Sequence, residues 1–333
     1  MRLIIILCLL FASPSQAFEW SAFSPLLDSQ SWDYSPSWMA DSVLGYDRIW
    51  WCSDRYGAGI PAEEGDVIKY RSNIQPSPQV VLLPNMGGWE GPCVCDPAVV
   101  RGNFTMEGKQ FNQAMYYTAS PTCSTDNKVG VAFSNDGINW QKYSGNPIIS
   151  SAGRGGCAPD ENCLSTYGAG QAQVRNWDGQ AGIELWYTDT EGAQGAGIYE
   201  RSSSDGINFG VAKKLSLEGI DCAPGCIGGQ GVALSPTSPY ELYLLIGRNG
   251  NLVLYKIPFD QRFTGTWSLM DEFTPSEAGY GAIFEGGFRT DIYGNLFSAS
   301  WPTIWAGFGA GPCYIDTPNC DTTQWSLGQA GGN

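Results

Sequence analysis

A short cassette occurs twice in this chain. Ser134-Asn135-Asp136-Gly137-Ile138-Asn139-Trp140 returns as Ser203-Ser204-Asp205-Gly206-Ile207-Asn208-Phe209. Each copy closes a strand-like stretch, Val129 to Phe133 in the first and Gly197 to Arg201 in the second. Asp-Gly between strands marks a tight turn, because glycine accepts the positive φ that such a turn demands. The copies lie about 70 residues apart, too far for a solenoid repeat and about right for one four-stranded propeller blade. Two unrelated hairpins would not explain identity at Asp-Gly-Ile-Asn followed by an aromatic ring. The pattern predicts one supersecondary unit copied around a ring.

The first residues set the compartment. Met1-Arg2 is a short positive start, Leu3 to Ala12 is apolar, and Ser15-Gln16-Ala17 fits a small-x-small cleavage site. Residues 1–17 therefore read as a secretory signal peptide, too short to span a bilayer. No other segment is apolar enough to cross a membrane. Secretion, or export to a periplasm, is the expectation. Of the 11 cysteines, all but Cys8 lie beyond the leader, an even number that reads as disulfides in an exported chain. Cys157 with Cys163, Cys222 with Cys226 and Cys313 with Cys320 would close short loops. Cys52, Cys93, Cys95 and Cys123 remain, with their pairing open, although Cys93 and Cys95 are too close to favour each other. A cysteine metal cluster would suit a reducing compartment instead.

Charge and composition exclude whole classes. The 33 acidic residues against 18 basic ones argue against a nucleic-acid partner, since phosphate binding needs a positive surface. With no histidine in the chain, neither a Ser-His-Asp nucleophile nor a histidine zinc site can be built. Chemistry would fall to carboxylates, Tyr, Lys, thiols or an oxygen-ligated metal. No EF-hand-like spacing supports a channel calcium, so no cofactor is expected. For a secreted enzyme the commonest chemistry left is glycosidic bond cleavage by paired acids. Asn103-Phe104-Thr105 is a glycosylation acceptor motif.

Abundant aromatics, 43 glycines and 20 prolines, with few helix-period stretches, predict an all-β protein. Five strand starts look like innermost strands of a ring. They are Asp33 to Trp38, Cys95 to Val100, Tyr167 to Val174, Ile227 to Ala233 and Ile283 to Arg289. Their spacing is near-even and leaves no room for a second domain. The expectation is a monomeric, five-bladed β-propeller of four-stranded antiparallel blades over 18–333. A two-sheet sandwich would not explain the recurring cassette.

The order Asp96-Pro97, Met115 to Thr118, Gly130 to Trp140 and Asn146 to Ile149 resembles the five-bladed β-propeller glycoside hydrolases. These are the arabinanase and β-xylosidase-like enzymes, with the levanase and invertase group as relatives. The pattern recurs more loosely from Gln171 through Tyr187-Thr188 to Phe209. The cassette is structural in that family and reports the fold rather than the reaction. The resemblance implies channel carboxylates: an Asp base on the first blade, a pKa-tuning Asp on a middle blade and a Glu acid on the fourth. One carboxylate must be ionised and another protonated, with neighbours pushing their pKa values apart.

This chain departs from that set. Ser35-Pro36 stands where Asp-Pro is expected, and Gln171 and Gln230 occupy the equivalent inner positions of the third and fourth blades. The candidate catalytic residues are Asp96, Glu285 and Asp33, the last reaching the channel from the preceding loop. Glu285 could equally be bonded to nearby Arg289. Candidate sugar contacts are the rings of Trp32, Tyr34 and Tyr167, the amides of Gln171 and Gln230, and Arg289. Two readings follow, both with carbohydrate as partner: a secreted glycoside hydrolase-like protein, or a binding propeller that has lost its acid set. A sialidase-like six-bladed enzyme is a third reading, which needs three channel arginines.

Overall fold

The computed structural model describes residues 24–27, 33–54, 65–123, 125–151, 168–190, 193–219, 228–235, 237, 240–248, 251–274, 282–297, 304–309 and 325–330. Within them the protein is all-β, with one 3-10 turn at Phe259–Gln261. After β1 (Ser24–Leu27), a first unit contains β2 (Asp33–Asp41), β3 (Tyr46–Asp54), β4 (Asp66–Ser72) and β5 (Gln79–Leu82). The second contains β6 (Cys93–Met106), β7 (Lys109–Ser120), β8 (Lys128–Ser134), β9 (Gln141–Lys142) and β10 (Ile149–Ser150). The third contains β11 (Ala169–Asn176), β12 (Ile183–Asp189), β13 (Gly197–Ser203) and β14 (Lys213–Lys214). Then come β15 (Ser216–Leu217), β16 (Gly228–Leu234), β17 (Glu241–Arg248), β18 (Asn251–Pro258) and β19 (Thr266–Phe273), and finally β20 (Ala282–Thr290), β21 (Ile304–Gly309) and β22 (Trp325–Ala330).

Hydrogen bonding gathers these strands into four sheets rather than five. The difference has a local cause. β2–β5 and β20–β22 with β1 are each antiparallel. A short parallel contact, Trp38 facing Arg289 and Met39 facing Thr290, joins the two into one eight-stranded sheet. The chain's first and last described strands, β1 and β22, pair with each other.

The core lies between sheets. Trp50, Ile68 and Tyr70 of the first unit pack on Val99, Met115 and Tyr117 of the second. Phe104, Tyr116 and Phe133 of the second pack on Leu185, Tyr187 and Tyr199 of the third. Trp186 and Ile198 meet Leu244 and Val253, and Leu245 and Leu254 meet Phe288. Each side chain so buried contributes about 1.5–3 kcal/mol. Neighbour-to-neighbour apolar faces, with no common centre, are how a propeller stabilises itself.

The cassette clasps one sheet to the one before it. In the first copy Asp136 Oδ1 accepts the backbone N–H groups of Ile138 and Asn139, each at 2.8 Å, while Oδ2 accepts the Asn139 amide at 2.7 Å. Burial acts to raise its pKa, but these bonds and the Ser134 hydroxyl hold the carboxyl down at about 2. Asp205 repeats the network with Ile207 and Asn208. The turn so fixed points the glycine carbonyl outward. Gly137 O accepts the Trp50 indole N–H at 2.9 Å, and Gly206 O accepts the Tyr116 hydroxyl at 2.8 Å. Trp50 faces Ser37 and Tyr116 faces Ala98 across equivalent strand pairs. The clasp is one device used twice.

Both glycines are left-handed, with φ of 77° and 78°. A Cβ on Gly137 would sit 1.7 Å from Arg48 Nη2, whereas one on Gly206 would meet Tyr116 Oη at 3.0 Å. Gly206→Ala is expected to cost about 1–2 kcal/mol for the left-handed backbone alone. Gly137→Ala, which must also displace Arg48, should cost at least about 1 kcal/mol more. Urea unfolding of both variants checks the order.

Candidate functional site

One irregularity recurs near the starts of β2, β6, β11, β16 and β20. The register against the second strand slips between Tyr34 and Ser37, Cys95 and Ala98, Gly170 and Gln173, Gly228 and Gln230, and Ile283 and Gly286. Such bulges re-aim side chains and favour functional positions. In the first three strands the residue after the slip begins is Ser35, Asp96 or Gln171, and its φ is 48°, 48° and 53°. Non-glycine residues held there cost energy and cluster at functional sites. Ser37, Val99, Gln173, Val232 and Phe288, one from each inner strand, border a single narrow cleft just beyond.

The three strained residues meet. Ser35 Oγ donates to Asp96 Oδ1 at 2.6 Å. Asp96 is only 6 % exposed, and the nearby Thr118 hydroxyl and Gln171 backbone N–H favour its ionised form. Burial pushes the Asp96 carboxyl up, and Ser35, Thr118 and the Gln171 backbone counter part of that rise. The Gln171 N–H also donates to Thr118 Oγ1 at 2.7 Å. Behind them the Cys52–Cys95 disulfide joins β3 to β6, and Cys93–Cys123 ties the start of β6 to the segment after β7. The pairing left open by the sequence is thereby resolved. The other three cysteine pairs lie outside the described residues.

The remaining candidates are placed as follows. Asp33 is buried and its Oδ1 accepts the Trp51 indole N–H at 2.7 Å. Tyr34 is half-buried opposite Cys52. Arg289 sits toward the far end of β20, bonded to Asp47 Oδ1 at 2.9 Å and stacked between Trp38 and Phe297. Among the described residues its ionic partner is Asp47. Glu285 and Gln230 lie on β20 and β16, their side chains outside the described residues. By register Glu285 matches Pro36 and Pro97, one residue beyond the Asp96 position, which in β20 is Phe284. Gln230 is already back in register opposite Ile246, leaving Gly229 as the extra residue. Trp32, Tyr167 and residues 1–17 lie outside the described residues.

Sequence reasoning missed Thr118, whose only signal was its place at the end of Met115-Tyr116-Tyr117-Thr118. It missed equally that Cys52–Cys95 backs the site. Chemically, the described residues at this mouth offer a carboxylate with a raised pKa, flanked by a hydroxyl and an amide residue.

No known family model and no curated protein matches the sequence. Solved structures do. An α-L-arabinofuranosidase from Podospora anserina, solved with cellotriose, superposes with a TM-score of 0.60 at 11% identity, over 95% of this chain and 97% of that one. A β-xylosidase gives 0.54 at 11% identity, covering 92% and 94%. A β-fructofuranosidase from Bombyx mori gives 0.53 at 14% identity, over 90% of this chain but 59% of that longer protein. These neighbours are β-propeller glycoside hydrolases, and at such identities the likeness is one of fold.

Proposed function

We propose that this chain is a secreted, carbohydrate-binding, five-bladed propeller built on the glycoside hydrolase plan, without that plan's full set of catalytic acids. The eight-stranded sheet counts as two blades, because antiparallel order breaks between β20 and β2. The five register slips support the same count. The leader and the two disulfides support export; a single domain over 18–333, monomeric and without cofactor, belongs to the same proposal.

The observation that carries the reading is the set Ser35, Asp96 and Gln171 at three equivalent, strained positions. Hydrolysis of a glycoside needs one carboxylic acid and one carboxylate across the scissile bond. Serine and glutamine accept and donate hydrogen bonds to sugar hydroxyls but transfer no proton near neutrality. Asp96 remains as a carboxyl acceptor, and a hydrogen bond to a charged group is worth about 1.5–3 kcal/mol. Tyr34, Trp32 and Tyr167 supply rings for the sugar face.

A glycan array followed by calorimetry tests this. The expected result is binding of an oligosaccharide with no release of reducing sugar, and roughly tenfold or greater weakening in Asp96→Asn. Sugar release that disappears in both Asp96→Asn and Glu285→Gln would install the second reading, a hydrolase. That reading has one observation in its favour: burial raises the Asp96 carboxyl, as an acid catalyst requires.

A further inference from the structure

We propose that Thr118 is the positioning residue of the mouth, locking the Asp96 carboxylate to the Gln171 backbone across two sheets and so governing how the site answers to pH. The inference rests on the reading that this mouth is the ligand site. Its observations concern a residue that neither sequence pattern nor fold likeness assigns.

A hydroxyl has one proton to give and two lone pairs to receive. Thr118 Oγ1 receives the Gln171 N–H at 2.7 Å, and Thr118 pairs across the ladder with Cys95, the residue before Asp96, so its single proton is left for the Asp96 carboxyl, whose ionised form the hydroxyl favours. Ser35 commits its own proton to Asp96 at 2.6 Å. The result is a directed chain from β11 through β7 to β6, met from the other side by β2. The groups that act on the Asp96 carboxyl are Ser35 from β2, Thr118 from β7 and Gln171 from β11, and none is charged. Among the described residues, the groups that favour ionisation of Asp96 are these neutral donors.

Thr118 has little freedom to do anything else. It is 3 % exposed, and it faces Cys95, whose disulfide to Cys52 fastens β6 to β3. Its γ-methyl lies against Gly170, where an added Cβ would come within 2.8 Å. The methyl sets the rotamer and the hydroxyl does the bonding. Thr118→Val keeps that shape while deleting the donor to Asp96 and the acceptor for Gln171. Thr118→Ser keeps both and deletes only the methyl.

The test reads Asp96 without any sugar. Carbon NMR of carboxyl-labelled aspartate, with the signal identified by its loss in Asp96→Asn, gives the titration midpoint. Thr118→Val is expected to raise it by about one pH unit or more, since one of three stabilising donors is gone. Thr118→Ser should stay within a few tenths of the wild-type midpoint. An unchanged midpoint in Thr118→Val, or an equal rise in Thr118→Ser, overturns the proposal. Should Thr118→Val not fold, the wild-type protein still decides. The Gln171 amide signal should titrate with the Asp96 midpoint, and a Gln171 amide indifferent to pH over that range overturns the assignment. Absence of glycan binding would sink the functional reading and leave these titrations standing, so the two failures are separable.

Discussion

Replacing Arg48 by alanine is expected to destabilise the protein by roughly 3–5 kcal/mol, the cost of breaking a fully buried ionic network from one side. Arg48 is fully buried. Its Nη1 bonds Asp41 Oδ2 at 3.2 Å and Gln113 Oε1 at 2.9 Å, and its Nη2 grips the Asp136 carbonyl. The guanidinium also lies over the Trp50 ring at 4.7 Å. One head group therefore holds the β2–β3 corner, the second strand of the next unit and that unit's cassette. In the variant Asp41 keeps Arg101 at 3.2 Å, but Gln113 and the Asp136 carbonyl lose their donor inside the protein. Arg48→Lys, a point charge without the planar fork, should recover part of the loss. Urea midpoints of the three proteins read the effect. A loss below about 1 kcal/mol in Arg48→Ala would mean that the network merely fills space.

The contrast between Asp136 and Arg48 shows what the sequence could and could not reveal. Every bond Asp136 makes to fix its turn falls within three residues, so the whole device is written in one short string and its repetition is visible. Arg48 reaches Asp136 across 88 positions and Gln113 across 65. No local pattern announces such a partner. The same holds at the mouth. Asp96 was legible because Asp-Pro at a strand entry is a pattern, and Ser35 and Gln171 could be lined up with it. Thr118 ends an ordinary buried strand, and its partner Gln171 lies 53 positions on. Strand positions were legible from alternation and turn residues. The merging of the first and last units into one sheet depends on two residues each of β2 and β20 coming close enough to pair, which only ring closure decides. The cysteine pairing was hidden for the same reason: Cys52–Cys95 and Cys93–Cys123 both span segments that must first fold.

At the boundary between the third and fourth units the chain has no cassette, and a buried charge cluster stands there instead. Arg262, just after the 3-10 turn, donates to Glu184 Oε1 at 2.8 Å, and its Nε lies 3.8 Å from Glu200 Oε1. Arg175 holds the other Glu184 oxygen at 2.9 Å. Burial first, and then the Glu184 charge, push Glu200 up to about 8, with Arg262, Lys213 and the Trp186 indole opposing only in part. A carboxyl whose folded pKa lies above its unfolded value of 4.5 favours the fold below that value. That contribution is lost as pH rises from about 4.5 through about 8, because the folded state then holds a proton the unfolded chain has released. Over this window the loss is on the order of 4 kcal/mol. Glu200→Gln copies the protonated side chain and removes the titration. Its stability relative to wild type should therefore be near zero at pH 5 and grow by several kcal/mol at pH 9, with Glu184, Arg175, Arg262 and Lys213 common to both proteins and largely cancelling in the difference. Urea midpoints at pH 5, 7 and 9 give that difference directly. If it is flat across the three pH values, Glu200 ionises as an ordinary carboxyl, and the third boundary is held by Arg262 and Glu184 without it.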